Sequence, residues 1–99
     1  MTSLAGLPGH RLIEEGLREL EAGTVGVGAL LISIGAPRLA RAGFPVPASA
    51  RSVSEPELRL YALLGERGER DPYGRYNALV RELVSFERAL EHRVRVERG

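Results

Sequence analysis

The stretch from Asp71 to Gly99 constrains the fold most, because it is one long amphipathic run that has to be covered along much of its length. Tyr76, Leu79, Leu83, Phe86 and Leu90 recur at alternating steps of three and four residues. Val80 and Val94 widen this stripe, while Arg75, Arg81, Glu82, Arg88, Glu91 and Arg95 fall outside it, which is the pattern of a helix with one apolar face. Asp71-Pro72 marks its start: Asp is a good N-cap, and Pro, with no N–H to leave unpaired, suits the first helical position. A helix of some 20 residues spans about 30 Å, more than the shorter helices of this chain are expected to cover. The stripe of Tyr76, Leu79, Leu83, Phe86 and Leu90 is therefore expected to meet a second copy, making a homodimer.

Upstream, Leu7-Pro8-Gly9 punctuates the chain before a helix from about His10 to Ala22. Leu12, Ile13, Leu17 and Leu20 share a face with Gly16, whereas Arg11, Glu14, Glu15, Arg18, Glu19 and Glu21 point outward. Gly inside a helix costs roughly 0.5–1 kcal/mol relative to Ala, so Gly16 on the apolar face points to close approach of a second helix. Gly23 fits the C′ position, where a left-handed residue closes a helix.

The next segment has no charge between Glu21 and Arg38. Thr24 to Gly28 alternates like a strand, and Ala29 to Ile34 reads equally as buried helix or buried strand. No second strand is available to pair with it, and an isolated strand would leave its backbone groups unsatisfied, so a central core helix is expected. Its apolar run is shorter than the roughly 18 residues of a membrane span. Pro37 should kink or split this helix, and Gly43 should end it. Phe44-Pro45-Val46-Pro47 is extended by proline restraint, and 44–53 is expected to be a Pro-rich surface loop.

Ser54-Glu55-Pro56-Glu57 opens the following helix with a capping-box pattern, Ser at the N-cap and Glu three residues on. Leu58, Leu60, Tyr61, Leu63 and Leu64 make a broad apolar surface, and Gly65 to Arg70 is a charged connection. The expected architecture is all-α, a small irregular four-helix bundle in a single domain over 1–99, with a long C-terminal amphipathic helix.

Composition bounds the chemistry. The 99 residues carry a net charge of +1, which gives no bulk attraction to nucleic acid or to an anionic membrane. The charge is uneven, however, at −2 over 1–21 and +3 over 22–54, with balance thereafter. Arg38, Arg41 and Arg51 are thus a candidate basic patch for nucleic acid, an alternative that is not favoured because aromatic residues number only five and base stacking has few platforms. All 14 basic residues are Arg, Gln and Cys are absent, and Asn77 is the lone Asn, as in a GC-rich or heat-adapted source. Without Cys there is neither a disulfide nor a thiolate metal site, and no leader-like pattern opens the chain, so a cytoplasmic protein is expected.

No catalytic, cofactor or metal constellation emerges. Gly23, Gly26 and Gly28 lack the third glycine of a dinucleotide loop, that position being Leu31. Glu14, Glu15, Glu19 and Glu21 have no Glu-x-x-His partner of the di-metal bundles. Arg88-Ala89-Leu90-Glu91-His92, with a three-residue spacer, resembles a shortened Arg-x4-6-His motif of the HEPN ribonucleases. That resemblance implies a remote alternative, a ribonuclease-like helical domain in which Arg88 serves the RNA phosphate and His92 the 2′-hydroxyl attack. The helix dipole explains His92 near a helix C-terminus without it. The expected role is a non-enzymatic helical interaction or structural protein that associates with itself or with another protein, without cofactor or membrane.

Overall fold

The computed structural model describes Leu4 and residues 6–98. Five helices follow one another, α1 (His10–Glu21), α2 (Val27–Arg41), α3 (Ala48–Arg51), α4 (Pro56–Glu66) and α5 (Pro72–Arg98), and no strand occurs among the described residues. The four longer helices are those anticipated, and the fold is all-α. α5 has 27 residues, roughly 40 Å at helical rise, and sets the long dimension of a body measuring 45 × 26 × 20 Å.

α2 is the hub and touches each of the other four helices. Ala29, Leu30, Leu31, Ile32, Gly35, Ala36 and Leu39 are all buried. A helix buried over most of its circumference shows little amphipathic period, which is why Ala29 to Ile34 could not be told from a buried strand. Pro37 lies inside this helix, on its exposed side, without splitting it; the ring removes one backbone donor, yet the buried residues on either side, Ala36 and Leu39, hold the helix in the core. Thr24, Val25 and Gly26 precede α2 outside any helix or strand, with Gly26 extended at the N-cap.

α1 crosses α2 at paired glycines. A methyl group built on Gly16 would lie closer than 3.0 Å to the carbonyl of Gly28 and 2.8 Å from Ile32 Cδ1, and one built on Gly28 would meet the backbone of Gly16 and the carbonyl of Leu12. The two backbones therefore touch directly, as the cost of Gly16 within a helix implied. Glu19 also departs from expectation. Its carboxylate is not on a solvent face; it accepts the Ala29 N–H at 2.9 Å, in the first turn of α2, and rests on Gly26. Those N–H groups have no helical partners and carry the positive end of the helix dipole, so an acceptor from α1 serves as their cap.

Three helix ends close alike. Gly23, Gly43 and Gly68 have φ of +78°, +89° and +77°. After α1, the Gly23 N–H donates to Leu20 O at 3.2 Å and the Thr24 N–H to Glu19 O at 2.8 Å. The same pair of bonds recurs at Gly43/Phe44 and Gly68/Glu69, the Schellman arrangement that left-handed glycine permits. At the start of α5, the Gly74 N–H donates to Asp71 Oδ1 at 3.0 Å, the N-cap read from Asp71-Pro72. The capping box at Ser54 does not form: Glu55 is the N-cap, in left-handed conformation with φ 48°, and makes no side-chain cap bond. Pro56 is the first helical residue and bars its predecessor from the ordinary helical region, so the chain enters α4 one residue later than the pattern implied.

The 44–53 segment is not purely a surface loop. It contains α3, and both Phe44 and Ala50 are buried, Phe44 meeting Phe86 edge-to-face at 6.1 Å. This segment, α2 and α4 cover the stripe of α5. Leu79, Leu83, Phe86 and Leu90 are buried within one copy of the chain. The 15 residues of α2 span about 22 Å and the stripe from Tyr76 to Leu90 about 21 Å, so one helix is long enough to pair with it.

Candidate functional site

A cluster of charged side chains joins α2 to α5. Arg38 Nε donates to Glu91 Oε2 at 2.7 Å and Nη2 to Glu91 Oε1 at 2.8 Å, a bidentate pair, while Nη1 reaches Glu87 Oε1 at 3.4 Å. Glu87 and Glu91 are one helical turn apart and share a face. Glu87 is 5% exposed, and its other oxygen rests against Gly35, where a methyl group would lie 2.7 Å from it. Burial pushes the Glu87 carboxyl above its ordinary value, with Arg38 working against that rise; the hydrogen bond from Arg38 holds Glu91 below the ordinary value. Arg38 is therefore not a free cation. Of the three residues of the expected basic patch, Arg41 and Arg51 are exposed, and Arg41 lies close enough to Glu91 to help lower its pKa.

Two open grooves mark the surface. One of about 390 Å³ is lined by α2, α3 and the chain leading into α4, with Ala36, Pro37, Ala40, Ala50, Arg51 and Pro56 among its walls. The other, about 320 Å³, lies between Val25, Leu30, Arg59, Ala62, Leu63 and Glu66. Neither includes Arg88 or His92, both of which are exposed. His10 is occupied structurally, its Nδ1–H donating to the Leu7 carbonyl at 2.9 Å. Among the described residues no group of three or more His, Asp or Glu is gathered to hold a metal ion, and no helix is long and apolar enough to cross a membrane.

The residues proposed for self-association are divided by the fold. Leu79, Leu83, Phe86 and Leu90 lie in the core, and Tyr76 alone reaches the surface, half-buried and meeting Tyr61 edge-on at 6.3 Å. Burial raises the Tyr76 hydroxyl pKa, with the nearby Glu57 carboxylate adding to the rise. Around this ring contact the surface is apolar. Leu58 is 64% exposed, Tyr61 45% and Tyr73 66%. Leu58 and Tyr61 are three apart on α4, as are Tyr73 and Tyr76 on α5, so each pair shares a face and the Tyr61–Tyr76 contact joins them into one ridge. α4 was expected to bury a wide apolar face; only Leu60 and Leu64 are buried, with Leu63 half-buried. The outward Leu58 and Tyr61 are what that wide face left over.

The sequence matches no protein-family model, and comparison with curated proteins and with solved structures returns no similar chain.

Proposed function

We propose that this chain is a non-enzymatic helical interaction protein that pairs with a second copy of itself through the α4–α5 ridge of Leu58, Tyr61, Tyr73 and the edge of Tyr76. The observation that carries the proposal is the exposure of three large apolar side chains on joined faces of two helices. Tyr is favoured in such contacts because it brings a large area with few rotatable bonds and a hydroxyl that tolerates water. The charges around the ridge favour a second copy over a charged partner: residues 57–75 hold four acids and four Arg, so two copies meet without net repulsion. A twofold contact also needs only one self-complementary patch.

Sedimentation velocity over a concentration series tests this. The expected result is a monomer–dimer equilibrium, with Leu58→Glu plus Tyr73→Glu monomeric and equally helical. A wild-type monomer at millimolar concentration would refute it, as would a dimer indifferent to both substitutions. The nucleic-acid alternative is weaker, because Arg38 is engaged by Glu87 and Glu91 and appreciable affinity for nucleic acid depends on several phosphate contacts. The ribonuclease-like alternative has Arg88 and His92 exposed on α5, and neither lines either of the two grooves.

A further inference from the structure

The α2–α3 groove combines an apolar floor with a single cation, and we infer that it binds a small anionic amphiphile, a carboxylate carried on an unbranched alkyl chain. Ala36, Pro37 and Ala40 form one wall, Ala50 and Val53 the other, and Arg51 stands exposed among them. Its volume of about 390 Å³ falls at the small end of the roughly 300–1,000 Å³ typical of ligand clefts. The hydroxyl of Ser33 in this groove already donates to the Ala29 carbonyl at 3.1 Å, so the walls present hydrocarbon and the head group falls to Arg51.

Charge complementarity fixes the sign of the ligand. The residues that line the groove, which Pro56 at the start of α4 completes, include one cation, Arg51, and no acid. Arg38 is bound by Glu91, and Arg41 lies in the field of the same carboxylate. Arg51 has no acidic partner among the described residues. Its planar guanidinium is shaped to take a carboxylate through two parallel hydrogen bonds, while the alkyl chain displaces water from the walls. A peptide fits less well, because its backbone N–H and C=O groups would be left unpaired against Ala, Val and Pro.

Isothermal titration with octanoate, 1-octanol and acetate, below the concentration at which octanoate forms micelles, tests the inference on the whole chain. Octanoate is expected to bind saturably, octanol about three- to tenfold more weakly for want of the ion pair, and acetate not measurably. Arg51→Gln, an exposed substitution that leaves the fold intact, should remove the preference for octanoate. Ala40→Leu, which fills the groove, should abolish binding of both. Absence of saturable octanoate binding overturns the inference, as does equal binding of octanol by the wild type, or octanoate binding that neither variant changes. It does not depend on self-association, and a monomer that binds octanoate would leave it standing.

Discussion

Two Gly→Ala substitutions should change stability in opposite directions, because one glycine is in contact and the other is not. Both Gly16 and Gly65 are helical, so each Ala gains about 0.5–1 kcal/mol of helix preference, and less for Gly65 near the end of α4. A methyl group on Gly65 would meet nothing within 4 Å, so the gain stands. At Gly16 the new methyl would meet the Gly28 carbonyl closer than 3.0 Å, where ordinary contact begins at 3.4 Å. That neighbour is backbone and cannot rotate away, so α1 must move off α2, at an overpacking cost of about 1–3 kcal/mol or more. The net expectation is destabilisation by about 1–2 kcal/mol for Gly16→Ala, and stabilisation by about 0.5 kcal/mol for Gly65→Ala. At roughly 4–8 °C per kcal/mol for a domain of this size, melting followed by circular dichroism should show a fall of about 5–15 °C against a rise of about 2–4 °C. Gly16→Ala combined with Gly28→Ala should cost less than the two single changes added, because one separation of the helices accommodates both methyls. If Gly16→Ala raised the melting temperature as Gly65→Ala does, α1 and α2 would not be in backbone contact and the packing described for the hub would be wrong.

Two further substitutions examine the polar contacts. Glu19→Ala removes the acceptor that caps α2 and should lower the unfolding free energy by about 1 kcal/mol, read from urea midpoints; an unchanged midpoint would mean that water caps this helix equally well. Glu87→Gln should stabilise the protein at neutral pH, because the raised pKa of Glu87 says that burial disfavours its charge by more than Arg38 favours it. The sign follows from proton uptake: between the raised native pKa of Glu87 and its ordinary value of 4.5, the native state holds more protons than the unfolded one, so stability rises as pH falls. Below that window the lowered pKa of Glu91 acts oppositely, and the stability it confers is lost as pH falls through its native value. Urea midpoints across this range should show the rise in the wild type and not in Glu87→Gln, and a Gln variant less stable at neutral pH would mean that the attraction to Arg38 dominates.

Much of the helical framework was legible in the sequence, and what was legible was local. Asp71-Pro72 predicted a cap that the Gly74 N–H completes, and Gly23 and Gly43 marked helix ends because only glycine enters the left-handed region without penalty. Gly16 signalled a close crossing by its helix cost, although its partner Gly28 sat in a stretch that alternated like a strand. What could not be read depends on which surfaces meet. The stripe of α5 was visible, but cover by α2 and by Phe44 from a proline-rich segment is tertiary, so core residues resembled a dimer seam. Ala48 to Val53 read as loop because its residues are small and polar, yet small size is also what lets Ala50 pack into the core. Glu19 carried no sign of its role, since its acceptor property is used ten residues away at Ala29.

The same dependence on meeting surfaces explains how a core with no Trp and only two Phe holds its helices in one arrangement. Aliphatic side chains such as those of Leu30, Leu31 and Leu60 supply area but little direction, and a core of that kind repacks easily when nothing else fixes it. Here α2 is fixed at several points by contacts that tolerate no sliding. Gly28 lies against Gly16, Gly35 lies under the Glu87 carboxylate, Glu19 caps its start, and the bidentate pair with Glu91 holds Arg38 near its end. Each depends on close approach or on hydrogen-bond geometry, so displacing the helix by even one residue would break all of them together. α5 is tied to that frame at Glu87 and Glu91, and the ridge beginning at Tyr73 is left outward at its other end. Folding therefore consumes the apolar stripe that first looked available for a partner, and leaves Leu58, Tyr61 and Tyr73 of α4 and α5 facing outward.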